Sequence, residues 1–109
     1  MSKKRIMAGY NLQTTGIVAP GEPIKATANI PENCTPLDMH IDPNGNFVLF
    51  CEVWSHPEGT KVNFRTQEYA IVPPMTEIPH GSWVFWTMAV TGPMAFAIYT
   101  RPDKPRILS

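Results

Sequence analysis

Twelve prolines and seven glycines cut this chain of 109 residues into short pieces. Proline fixes φ and removes a backbone donor, so it ends strands and breaks helices wherever it falls. Between these breaks the apolar residues alternate with polar ones instead of recurring at helical spacing. Ile24, Ala26, Ala28 and Ile30 alternate with Lys25, Thr27 and Asn29, and Pro31 stops the run. Leu37, Met39 and Ile41 alternate with Asp38, His40 and Asp42. Phe47, Leu49, Cys51 and Val53 fall on one face of a further strand, and Val48, Phe50, Glu52 and Trp54 on the other. Between those two runs, Asn44-Gly45 supplies residues that tolerate positive φ, the requirement of a tight hairpin turn.

The rest of the chain reads the same way. Residues 61–72 form a strand in which Val62 and Phe64 face opposite to Asn63 and Arg65, ended by Pro73-Pro74. Residues 83–90 and 94–101 make a last hairpin around Thr91-Gly92-Pro93, apolar nearly throughout and therefore expected to be covered on both faces. Residues 6–14 make a further strand, with Ile6, Ala8, Tyr10 and Leu12 on one parity. The expected architecture is one all-β domain over residues 1–109, a small β-sandwich or barrel of seven or eight short antiparallel strands joined mainly by hairpins.

Charge is distributed unevenly behind a formal net charge of zero. Residues 6–100 carry three bases against eight acids, whereas Lys3, Lys4, Arg5, Arg101, Lys104 and Arg106 crowd the two ends. A groove for nucleic acid needs clustered bases to neutralise phosphates, and an acidic body argues against one. The two ends read as basic arms, residues 1–5 and 101–109, able to dock on acidic surface of a protein partner or a like copy. Pro102 and Pro105 favour an extended C-terminal arm. No apolar run reaches the ~20 residues of a membrane span, and Met1-Ser2-Lys3-Lys4-Arg5 leads into no signal-like apolar stretch, so synthesis in the cytoplasm is expected.

No residue pattern points to a reaction or a cofactor. His40, His56 and His80 are not spaced as metal pairs, and a zinc site with Cys34 and Cys51 would need a tertiary coincidence. Asp42 to Asn46 offers alternate oxygens, but its glycine is fourth and its twelfth residue is Val53, which fails the calcium-loop pattern. Cys51 reads as a core thiol, and Cys34 has no nearby base to activate it. Asp38 and Asp42 share a face but stand about 13 Å apart along a strand, too far to serve one glycosidic bond. A non-enzyme is the expectation. The aromatic residues are the more informative group, because so small a domain struggles to hide both faces of two hairpins. Trp54, Trp83, Trp86 and Phe50 are the interface candidates, tryptophan being a frequent anchor of protein contacts.

The order of features over about residues 24–100 resembles a family of small, uncharacterised bacteriophage proteins. The resemblance runs through Ala28-Asn29-Ile30-Pro31, Asn46-Phe47-Val48-Leu49-Phe50-Cys51-Glu52-Val53, the Asn63-Phe64-Arg65 step, and Gly92-Pro93 followed by Met94-Ala95-Phe96-Ala97-Ile98-Tyr99. The family usually has a Gly-Thr-Gly-like turn where this chain has Thr66-Gln67-Glu68-Tyr69. The resemblance implies a phage origin and an all-β fold and brings no activity with it. Together with the basic ends, it leads to the expectation of a virion accessory protein that decorates a capsid, with a homo-oligomer as one arrangement open to it. A cytoplasmic inhibitor that binds a host defence component is the alternative.

Overall fold

The computed structural model describes residues 4–14, 19–55 and 59–101. These residues form eight strands, all paired antiparallel: β1 (Arg5–Asn11), β2 (Gln13–Thr14), β3 (Ile24–Pro31), β4 (Thr35–Ile41), β5 (Phe47–Trp54), β6 (Phe64–Val72), β7 (Val84–Thr91) and β8 (Met94–Thr100). The all-β expectation holds, and among the described residues no helix is long and apolar enough to cross a membrane. One sheet has the order β1-β5-β4 and the other β2-β3-β6-β8-β7. Hairpins join β4 to β5 and β7 to β8, but the chain crosses between layers after β1, β3 and β5.

Alternation decides what lies between the layers. Ala26, Ala28 and Ile30 of β3, Leu49, Cys51 and Val53 of β5, and Tyr69 and Ile71 of β6 are buried in one cluster with Met39, Ala89 and Ile98. Each large aliphatic side chain sealed there contributes roughly 1.5–3 kcal/mol of transfer free energy, which makes this interior the main support of the fold. The small residues Ala26 and Ala28 oppose Tyr69 and Gln67 across β3 and β6, so the tyrosine ring has room to enter.

Four local expectations change. Residues 6–14 are not one strand: β1 pairs with β5, Leu12 N–H bonds the Phe47 carbonyl at 3.0 Å, and β2 then pairs with β3 in the other sheet. A sheet-switching corner of this kind lets Ala8, Tyr10 and Leu12 pack on the core while Ile6 stays exposed. In β4 the register shifts between Pro36 and Asp38, so Leu37 is thrown outward although Met39, of its parity, is buried. A proline cannot donate to the ladder, and a bulge beside it accommodates that loss. The strand expected from residue 61 begins at Phe64, whose ring is exposed. The last hairpin is covered on one face only, as described below.

The β4–β5 turn is also different in kind. Gly45 has φ 84°, but Asn44 does not have positive φ, so the two-residue turn with both residues left-handed is absent. Asp42 N–H bonds the Asn46 carbonyl at 2.9 Å and Gly45 N–H bonds the Asp42 carbonyl at 2.9 Å, giving a three-residue loop. Pro43 supplies the φ near −65° wanted at the first corner of a type I turn, and Gly45 then takes the left-handed position that closes the bulge.

Candidate functional site

The Asp42 carboxylate is spent on its own turn. Its Oδ1 accepts from the backbone N–H of Asn44 and Asn46 at 2.9 and 2.8 Å, and these donors, Asn46 foremost, hold its pKa below the ordinary value. His40 lies 3.3 Å from Asp38 on an exposed strand face, and His80 lies 2.7 Å from Glu77 in a loop. Among the described residues no three His, Cys, Asp or Glu side chains converge on a metal position. His56 lies outside the described residues.

Cys34 and Cys51 are both free and buried, and their thiols hydrogen-bond each other. Burial, then the neighbouring Cys34, pushes the Cys51 thiol up to about 12, with Arg65 pulling weakly the other way. A thiol held in that range stays protonated at neutral pH and is a poor nucleophile. Cys34 is a core residue as well, which its loop-like sequence context did not suggest.

The interface candidates separate into different environments. Phe50 lies on the outer face of the three-stranded sheet, edge-on to His40 with ring centroids 5.4 Å apart. It fits there because Gly9 lies opposite it; a Cβ on Gly9 would come within 3.3 Å of the ring. Trp54 is exposed at the end of the same face, with the Arg5 guanidinium 5.6 Å from its ring centre, while Arg5 also bonds Glu52 at 2.8 Å. Trp54 borders a surface cleft of about 280 Å³ with Tyr10, Phe64, Asn33 and Asn63. Trp83 is half-buried beneath Arg101, whose guanidinium is 4.5 Å from the ring centre and 3.6 Å from Glu68.

Trp86 does not serve as an exposed anchor. It occupies the β7 register shift between Phe85 and Thr87, and its ring packs 5.5 Å from Tyr69 against the core. Of the residues read as docking arms, Lys4 and Arg5 border the three-stranded sheet and Arg101 closes β8. Arg5 and Arg101 are engaged within the domain by the contacts just given. Lys3, Lys104 and Arg106 lie outside the described residues.

An open apolar strip lies where the sequence leads one to expect cover. In the β7–β8 hairpin Thr87 opposes Ile98 and Ala89 opposes Phe96 on the inward side. On the outward side Phe85 opposes Tyr99, Met88 opposes Ala97, and Val90 opposes Ala95. Phe85, Met88 and Val90 are 51%, 47% and 62% exposed, and Phe85 meets Tyr99 edge-on at 5.7 Å. Farther in, Ala70 and Val72 of β6 continue this face but are buried. The β6–β7 connection accounts for the difference: its Ile78, Pro79 and Trp83 share a groove with the outward-pointing Lys25, so it lies over the inner part of the face and leaves the β7 side open.

Sequence reasoning favours the tryptophans and misses Phe85, Met88 and Val90. The signal is nonetheless there: residues 81–100 contain no Asp, Glu, Lys or Arg, and Phe85 has the parity opposite to Trp86. Among the described residues that side of the edge hairpin stays half-exposed, as so small a domain has little chain to cover it. No family model, no curated protein and no solved structure matches the chain.

Proposed function

We propose that this protein is a non-enzymatic phage protein that works by protein–protein contact, as a virion accessory of the capsid-decoration kind. The observation that carries the reading is the half-exposed apolar strip of Phe85, Met88 and Val90 on the edge hairpin of a filled sandwich. An apolar strip of this sort, running along an edge hairpin without Asp, Glu, Lys or Arg, is a feature of surfaces that are covered in an assembly. The buried core thiols and the self-capped Asp42 supply no acid, base or nucleophile set to compete with that reading. Three surface clefts among the described residues, of about 220 to 330 Å³, lie at or below the lower end of small-ligand sites.

Gradient-purified particles of the encoding phage test it. Mass spectrometry should find the chain in many copies per particle, and Phe85→Ser should leave the fold intact while stripping the protein from the particles. Absence from particles, with expression early in infection, would overturn the decoration reading in favour of a host-directed inhibitor. Retention of Phe85→Ser at the wild-type level would show that the contact uses another surface.

A further inference from the structure

Among the described residues the two sheets have four edges, and these are not equally protected. β2, at one end of the five-stranded sheet, is two residues long. β4 carries Pro36, a register shift, Asp38 and His40, and β1 carries Arg5. Short strands, proline, bulges and charge are the devices that keep sheet edges from pairing with another chain. β7 has eight residues, no proline and no charge; its single irregularity is the shift at Trp86, which leaves Thr87 to Thr91 as a regular edge.

From this edge we infer that β7 pairs antiparallel with β7 of a second copy, joining two five-stranded sheets into one of ten about a two-fold axis. The inference rests on the reading of the β7–β8 hairpin as the contact surface, and it names the first partner of that surface. The sequence is self-complementary in such a pairing. With the axis at Ala89, Met88 of each copy opposes Val90 of the other on the outward side, and Thr87 opposes Thr91 on the inward side. Opposed apolar pairs and Thr–Thr pairs each favour sheet formation. A residue pattern that matches itself in this way is what an isologous interface demands. Charge also bears on the occupant: β7 itself brings no charge into its own pairing, and the Asp38 carboxylate beside it lies on the inward side, bonded to Thr87.

The expected strength follows from size. Five paired residues span about 17 Å, and the strip with its strand edges buries on the order of 400–500 Å² per copy, at the weak end of specific interfaces. Self-association of that size is weak and concentration-dependent. Because the axis stands perpendicular to the sheet, both copies turn their Phe85 side the same way, which doubles the apolar strip offered to a larger partner.

Sedimentation velocity of the full chain from about 5 to about 500 µM tests this. Wild type should pass from monomer to dimer across that range. Met88→Lys and Val90→Glu should each weaken self-association at least tenfold while circular dichroism stays β-rich, both side chains being half-exposed. An equimolar mixture of the two variants should recover the dimer, since the ammonium introduced in one copy then faces the carboxylate introduced in the other. A wild type that stays monomeric, a dimer untouched by either change, or a mixture no better than its parts would each overturn the inference. A monomeric wild type whose Phe85→Ser variant still falls off particles would overturn the pairing alone and leave the contact reading standing.

Discussion

Asp38 and Thr87 allow the closure of the sandwich to be measured. Thr87 points inward from edge strand β7, and its hydroxyl donates to Asp38 Oδ1 at 3.0 Å; the same oxygen accepts the Met39 N–H at 2.9 Å. Since β4 and β7 are the edges of different sheets, this bond ties the two layers along one open side. A hydrogen bond to a charged acceptor contributes about 1.5–3 kcal/mol where solvent is excluded. The Asp38 side chain is 45% exposed, and screening reduces that figure to about 1 kcal/mol. Thr87→Val, which keeps the shape, should therefore cost about 1 kcal/mol, and Asp38→Ala somewhat more because Met39 N–H also loses its partner. The double variant should be less destabilised than the two singles together, with a coupling of about 1 kcal/mol. Urea unfolding followed by tryptophan fluorescence reads all four proteins, and each kcal/mol moves the thermal midpoint by about 4–8 °C for a domain of this size. A coupling below about 0.3 kcal/mol would refute the claim that this bond helps hold the layers together.

Three further outcomes follow from single sites. Met75 has φ 63° and is fully exposed after Pro74, so Met75→Asn, which tolerates the left-handed region, should raise stability by about 1 kcal/mol in urea unfolding. Gly45→Ala should cost about 1–2 kcal/mol from backbone strain alone, because its φ is 84° and nothing lies within 4 Å of an added Cβ. The Cys51 thiol titrates near 9 when unfolded and is pushed up to about 12 by burial and by Cys34. Above pH 9 the unfolded chain therefore loses this proton first, and unfolding free energy should fall with rising pH by on the order of 1 kcal/mol per unit. Tyr10, also raised by burial, acts in the same direction. Cys51→Val should flatten this alkaline decline; an unchanged slope would remove the thiol from the explanation.

Much of the fold was readable because period-two alternation is a direct consequence of strand geometry. Leu49, Cys51 and Val53 lie inside and Trp54 outside as their parity requires. What the alternation did not carry were the places where the chain leaves regular geometry. Leu12 turns a single apparent strand into two strands of different sheets, and the shifts at Leu37 and Trp86 reverse the side to which those residues point. Trp86 shows the effect on the candidate site: its size suggested an interface anchor, but the register shift turns it onto Tyr69. Continuous apolarity in β7 and β8 suggested two covered faces. Cover depends on what remains of the chain to supply it, and the β6–β7 connection reaches only the inner part of that face. Arg5 and Arg101 read as free arms because sequence position alone cannot reveal that Trp54 and Trp83 lie beside them.

Methionine oxidation gives the most direct test of the contact surface, because each part of the molecule carries its own reporter. Met88 lies on the outward strip, Met7 on the opposite face at 68% exposure, Met75 in a fully exposed loop, and Met39 in the core. Dilute peroxide converts accessible methionines to sulfoxides that mass spectrometry counts residue by residue. Between dilute free protein and protein bound in its assembly, Met88 should become protected while Met75 keeps its rate and Met39 stays unreactive in both. Oxidation of Met88 at the free rate in the bound state, with protection appearing at Met7 instead, would contradict the account.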